Sequence, residues 1–256
     1  MLLQTTPRKV ILAIIAVLLL VTTGKDWYDF AQCGAVDHCI ASALGLQLYT
    51  KSAISLLVTV LAFIVSAEAF SPRDRRFLRI AFVCSLLGDF SFSLFRALTP
   101  PEYVTMSDVL GILFFMAFLA VLIHRHSRTS ETDLYCHNVY WRLLGTITAV
   151  AIILYALGAF SIMVAMVLAY AFYIVTSTVV GAIAPFKGYY PAKNALFVRW
   201  GMITFFVGDV LVGLSMISGA DHSAMETISA IANNFIWWFY VPAQLMLIKS
   251  CTRLEN

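Results

Sequence analysis

Asp89 and Asp209 sit in matching apolar frames. One frame reads Arg79-Ile-Ala-Phe-Val-Cys-Ser-Leu-Leu-Gly-Asp89 and the other Arg199-Trp-Gly-Met-Ile-Thr-Phe-Phe-Val-Gly-Asp209. Each aspartate follows a glycine, lies ten residues after an arginine, and is centred in a long apolar run. A carboxylate at mid-membrane depth costs about 2.5–3.5 kcal/mol even on lenient insertion scales. Two of them in one register point to joint use. Desolvation together with a second nearby carboxylate can keep one member of such a pair protonated near neutral pH, which is what acid catalysis needs.

Other polar residues gather around these frames. Ser85 lies four residues before Asp89, on the same helix face. Gly88 and Gly208 remove a side chain beside each aspartate, leaving room for close helix contact or for a substrate. Tyr240, Pro242 and Gln244 interrupt the last apolar segment with hydrogen-bonding groups and a helix breaker. Lys51 stands at the outer edge of the second segment, where its stem can snorkel.

Each also has a structural explanation. A buried aspartate can cross-link helices, Gln244 can be a helix–helix hydrogen bond, and Lys51 can anchor at the interface. His124, Arg125 and His126 read as headgroup contacts. HExxH, G-x-S-x-G, zinc-ligand spacings and glycine-rich phosphate loops are absent from the sequence. No cofactor, no metal and no nucleic-acid partner is expected.

The elements that must position these residues are membrane helices. Of 256 residues, 61% are hydrophobic and only 12% charged, about half the charge of an ordinary soluble domain. Period-2 alternation is missing, which argues against a barrel. Eight apolar segments stand out, at 10–23, 46–67, 77–98, 109–123, 143–158, 160–184, 197–218 and 235–248. A tight turn near Gly158-Ala159 separates the fifth from the sixth, whose joint length exceeds one crossing. The expected fold is an all-α, eight-helix, single membrane domain over 1–256.

With both termini cytoplasmic, all 17 Lys and Arg except Lys25, Lys51 and Arg96 fall on the cytoplasmic side. Asp26, Asp29, Asp37, Glu102, Asp108, Asp221 and Glu226 fall outside. The expected location is multi-pass in the bacterial inner membrane, with bilayer lipid as the surroundings. Arg8-Lys9 before an apolar run also resembles a signal peptide, but no convincing cleavage site follows. Cys33 and Cys39 share the first outside loop and can form a disulfide or stay free.

Asp209 follows Asp89 by 120 residues, as Arg199 follows Arg79. Parallel four-plus-four repetition would explain that offset, and chance similarity among apolar helices is the alternative. With helices starting at Phe77 and Phe197, both aspartates fall about 18 Å from the cytoplasmic end, slightly beyond the midplane.

At these residues the chain resembles the YhhN-like lysoplasmalogenase family. The resemblance rests on Lys51-Ser52, Ser85-Leu-Leu-Gly88-Asp89, Gly201-Met-Ile-Thr-Phe205-Phe-Val-Gly208-Asp209 and Tyr240-Val-Pro-Ala243-Gln244, in matching order from the second helix to the eighth. It departs at Ser52, where the family has proline, at Gly208, where it has serine, and near Leu119, where it has histidine. The resemblance implies a membrane hydrolase that cleaves the vinyl ether bond of a lysophospholipid. Asp89 and Asp209 would then be catalytic, and Lys51, Ser85, Gly88, Gly208, Tyr240 and Gln244 would hold substrate. A small transporter or lipid-binding protein with the aspartates as proton or cation sites is the competing expectation, and a structural subunit is a third.

Overall fold

The computed structural model describes residues 5–33, 37–98, 100, 103–127, 130–158, 161–187, 189–216 and 224–252; within these, the side chains of 33, 37–46, 130–140, 143 and 147 are not described. Eight long helices follow one another: α1 Thr6–Cys33, α2 Asp37–Ser66, α3 Pro72–Phe90, α4 Val104–His126, α5 Ser130–Ala156, α6 Ile162–Ile183, α7 Ala192–Ser215 and α8 Ala224–Lys249. α3 runs on through a π-turn, Ser91–Phe95, and a last α-turn, Arg96–Leu98. A 3-10 turn, Ala184–Phe186, extends α6.

Six of these helices are long and apolar enough to cross a bilayer. Among the described residues, α5 offers only the shorter apolar stretch Leu144–Ala156. α8, with Asn233, Asn234 and Gln244, is not among the six either. The chain is thus an all-helical, multi-pass membrane protein. Cys33 and Cys39, open to a disulfide or to two free thiols, lie outside the described side chains.

Local chemistry explains the helix boundaries. Ser71 caps α3 by accepting from the Asp74 N–H at 3.1 Å, and Pro72 occupies the first turn, where its missing N–H costs nothing. Ser161 caps α6 in the same way. Between α5 and α6 the chain turns at Gly158, whose φ of 66° is open to glycine without penalty, so the fifth and sixth segments are two helices as expected. α3 and α7 begin at Pro72 and Ala192, earlier than Phe77 and Phe197, because polar turns join the helix ahead of the apolar run. Asp89 and Asp209 each lie 17 residues past their helix start, about 26 Å along the axis rather than 18. Asp89 lies nine residues before Leu98 and Asp209 six before Ser215, so both sit in the second half of their helices.

The helices run alternately between two ends. α2 packs on α1 and α3, α4 on α3 and α6, and α7 on α6 and α8, while α8 closes the ring on α1 and α2. α5 leans mainly on α6. Phe82, Phe118, Leu119, Leu122, Met202, Phe205 and Leu247 fill the centre and are fully buried. Gly181 lets α6 meet α7, because a Cβ there would come within 2.5 Å of Met202.

The basic end is locked by buried polar groups. The Arg125 guanidinium holds Asp74 with two bonds, of 2.9 and 3.1 Å, and donates to Ser250 Oγ at 2.9 Å. Tyr190 packs beside it and shares a 2.9 Å hydrogen bond with His126 Nδ1. Burial pushes the Tyr190 phenol well above its ordinary range, against the opposing pull of Arg125. Asn194 donates to the Ser250 carbonyl at 2.7 Å, tying the chain end to α7. This corrects the expectation of headgroup contacts for Arg125 and His126, which are 1% and 4% exposed. A guanidinium with a bidentate carboxylate and further acceptors can stay buried where a lone charge cannot. His124 alone stays near the surface, stacked against Phe77.

Candidate functional site

Toward the other end, two helices bring together residues distant in sequence. Gln244 Nε2 donates to Ser85 Oγ at 2.9 Å. Ser85 Oγ and the Tyr240 hydroxyl are 2.8 Å apart. Tyr240 in turn donates to Asp89 Oδ2 at 2.8 Å. Four of the residues expected at the site thus form one continuous chain between α3 and α8. Ser85 faces α8 because it lies one turn before Asp89 on the same stripe, and Tyr240 and Gln244 hold the matching i, i+4 spacing on α8.

Aromatic rings wall this chain. Phe115, Phe205 and Trp237 lie 6.3, 5.6 and 5.4 Å from the Tyr240 ring, centroid to centroid. Ser85 and Gln244 are 1% and 2% exposed, so water does not compete for their hydrogen bonds. Asp89 and Asp209 are only half-buried. Both residues therefore lie well along their helices without being fully buried.

Asp209 is held differently. Its Oδ2 accepts from the Tyr170 hydroxyl of α6 at 2.6 Å. Tyr170 and Tyr240 each lie within electrostatic reach of both carboxylates, so the two aspartates open on one region. Among the described residues there is no direct carboxyl–carboxyl hydrogen bond, and no Lys or Arg pairs with either aspartate.

The helix changes form next to Asp89. The π-turn begins two residues later, and Ser93 Oγ returns a 2.6 Å bond to the Asp89 carbonyl, while Ser91 Oγ bonds the Leu87 carbonyl at 2.8 Å. Single π-turns are common where a helix presents a functional group.

The two glycines do different things. A Cβ on Gly88 would lie 2.6 Å from the Phe115 ring, so Gly88 makes room for α4 rather than for a ligand. A Cβ on Gly208 would meet Phe239 at 3.5 Å, an ordinary contact. Lys51 is not brought to the carboxylates. It sits 3.9 Å from Asp26 Oδ2, in a second polar cluster with Gln47 and Asn234. The link to Asp89 runs along α2: Ser52 Oγ is 3.0 Å from Ser93 Oγ, and the buried Ser55 faces Asp89. Ser55 has no hydrogen bond of standard geometry. Lys51 is one turn outward of Ser55, about 6 Å along the axis.

Sequence reasoning missed Tyr170, Ser55 and the π-turn. For Tyr170 a signal existed: Tyr170, Tyr173 and Ser177 form an i, i+3, i+7 stripe in an otherwise apolar helix. For the π-turn the Asp-Phe-Ser-Phe-Ser alternation was the trace, with Ser93 four residues past Asp89.

No family model, no curated protein and no solved structure matches this chain.

Proposed function

We propose that this chain is a membrane hydrolase that cleaves the vinyl ether bond of lysoplasmalogen-type lysophospholipids, with Asp89 and Asp209 as its acid/base pair. One observation carries the reading: two half-buried aspartates at equal helix depth open on one region, and each is held by a tyrosine instead of being neutralised by a cation. Carboxyls that only cross-linked helices would be better served by a cation or by full burial.

The chemistry asks for what such a pair supplies. A carboxylic acid delivers its proton to the vinyl carbon remote from oxygen, and the ether carbon becomes an oxocarbenium ion. Water adds to that carbon and gives a proton to the second carboxylate. The resulting hemiacetal breaks its bond to the glycerol oxygen. That oxygen takes the proton from the second carboxyl, and the hemiacetal hydroxyl returns a proton to the first. One water is consumed, and aldehyde and glycerophospho-alcohol leave. Lys51 lies one turn from Ser55 on α2, beside Asp26, and is the cation proposed to meet the substrate phosphate.

In this reading all eight helices cross the membrane and the basic end faces the cytoplasm. A four-plus-four repeat is supported by one boundary: α7 starts 120 residues after α3. The packing of α4 on α6 is mirrored by that of α8 on α2. Proton or cation transport is disfavoured by the buried aromatic centre and the Asp74–Arg125 lock, which close the basic end below the site.

The test is aldehyde release by the purified protein from lyso-vinyl-ether, lyso-ether and lyso-acyl lipids of one headgroup. Only the vinyl ether should be cleaved, and Asp89→Asn and Asp209→Asn should each abolish cleavage while the protein still folds. Near wild-type turnover in either variant, or no aldehyde from wild type, overturns the proposal.

A further inference from the structure

We infer that the Gln244–Ser85–Tyr240 relay makes Asp89 the base of the pair and leaves Asp209 as the acid, an assignment that rests on the proposed acid/base use of the two carboxyls. Hydrogen-bond direction carries it. The amide nitrogen of Gln244 has only hydrogens to offer, so it donates to Ser85 Oγ. Ser85 then spends its own hydrogen on the Tyr240 oxygen, which is 2.8 Å away. Tyr240 has one hydrogen and gives it to Asp89 Oδ2. Every donor points the same way, and the chain ends on Oδ2 as an acceptor, a role an ionised carboxylate fills with either oxygen while a protonated one must first place its hydrogen on Oδ1.

The reverse arrangement is expensive. A protonated Asp89 that donated to Tyr240 would push the Tyr240 hydrogen onto Ser85. Ser85 would have to donate to Gln244, whose amide would turn over to present its oxygen. Ser85 and Gln244 are almost fully buried, so water cannot rescue a mismatched link, and an unsatisfied buried partner costs about 1–3 kcal/mol. The relay therefore acts as a directional lock. Ser55, buried and facing Asp89 from α2, is a further hydroxyl able to donate to the same carboxylate.

Asp209 lacks such support. Tyr170 is its one hydrogen-bond donor among the described residues. At the 120-residue offset the relay residues are replaced: Phe205 stands for Ser85, Ala120 for Tyr240 and His124 for Gln244. Ala120 and Phe205 cannot pass a hydrogen bond, so no second relay can form. With fewer donors to hold a negative charge, Asp209 is the carboxyl that keeps the proton and delivers it. Ser85 and Gln244 are then positioning residues that act through Tyr240.

Infrared spectroscopy of the full-length protein in an ester-free detergent at neutral pH tests this without turnover, so a failed hydrolysis assay and a failed assignment remain distinguishable. The protonated-carboxyl C=O band should lose a component in Asp209→Asn and keep it in Asp89→Asn. Gln244→Met and Ser85→Ala should each gain a second component, and that gain should vanish when Asp89→Asn is added. Ser85→Thr, which keeps the hydroxyl, should look like wild type; with Gln244→Met it keeps the test open if Ser85→Ala does not fold. Loss of the component in Asp89→Asn, no component sensitive to Asp209→Asn, or no gain in the relay variants overturns the assignment.

Discussion

The segment around Asp89 and the segment around Asp209 begin alike. Each aspartate lies 17 residues into its helix, each follows a glycine, and each helix packs along its successor, α3 on α4 and α7 on α8. They part at the next turn. After Asp89 the helix widens into a π-turn closed by Ser91 and Ser93, whereas α7 continues as regular α-helix to Ser215. Asp89 ends a three-residue relay from α8, and Asp209 meets a single phenol from α6. A repeated frame can set depth and direction for two carboxyls. What each does with a proton is set by residues from other helices, which do not follow the repeat.

The largest test of this contrast is at the glycines. Gly88→Ala drives a methyl into the Phe115 ring, and that ring is fixed by Phe92, Phe118 and Tyr240. Overpacking of this kind costs about 1–3 kcal/mol. Gly208→Ala meets only ordinary contacts and should change stability little. Thermal unfolding of both variants in one detergent measures the difference. Equal destabilisation would mean that the two frames pack alike after all.

Much of the site was legible because its residues break an apolar background. Ser85, Asp89, Tyr240 and Gln244 are polar groups at helical spacing in segments where polarity is costly, and they do meet. The basic end was less legible. Arg125 and His126 close a helix in the place where cations meet headgroups, and only the fold reveals that Asp74, Tyr190 and Ser250 converge on them. Charge alone does not tell a snorkelling arginine from a buried one; the partner does, and it is 51 residues away. Tyr170 escaped for a related reason: one tyrosine in an apolar helix is ordinary until a carboxylate from another helix is set against it.

A middle-sized effect separates the tyrosines. Hydrogen bonds between membrane helices average about 0.6 kcal/mol and reach about 1.7. Tyr240→Phe removes the bridge between Ser85 and Asp89 and so breaks two bonds in a buried chain. Its loss should lie toward the upper figure. Tyr170→Phe removes one bond to a half-buried carboxylate and should cost near the average. Chemical denaturation of the two variants orders them, and a Tyr170→Phe loss larger than that of Tyr240→Phe would remove the asymmetry between the two carboxyls.

A contrast of sign lies one turn beyond each aspartate, where Ser93 and Gly213 hold corresponding positions, 120 residues apart. Ser93 bonds the Asp89 carbonyl and contacts Ser52. Ser93→Ala should therefore lower stability by about the 0.6 kcal/mol of an average membrane hydrogen bond. Gly213 has no heavy atom within 4 Å of an added Cβ. Gly213→Ala therefore adds a methyl without a clash and should raise stability by up to about 1 kcal/mol, the helix-propensity gap between the two residues. Opposite signs at matched positions would show that the π-turn is held by its hydroxyls, while the α7 turn is an ordinary helix with open space beside it. If Gly213→Ala destabilises instead, that space is occupied.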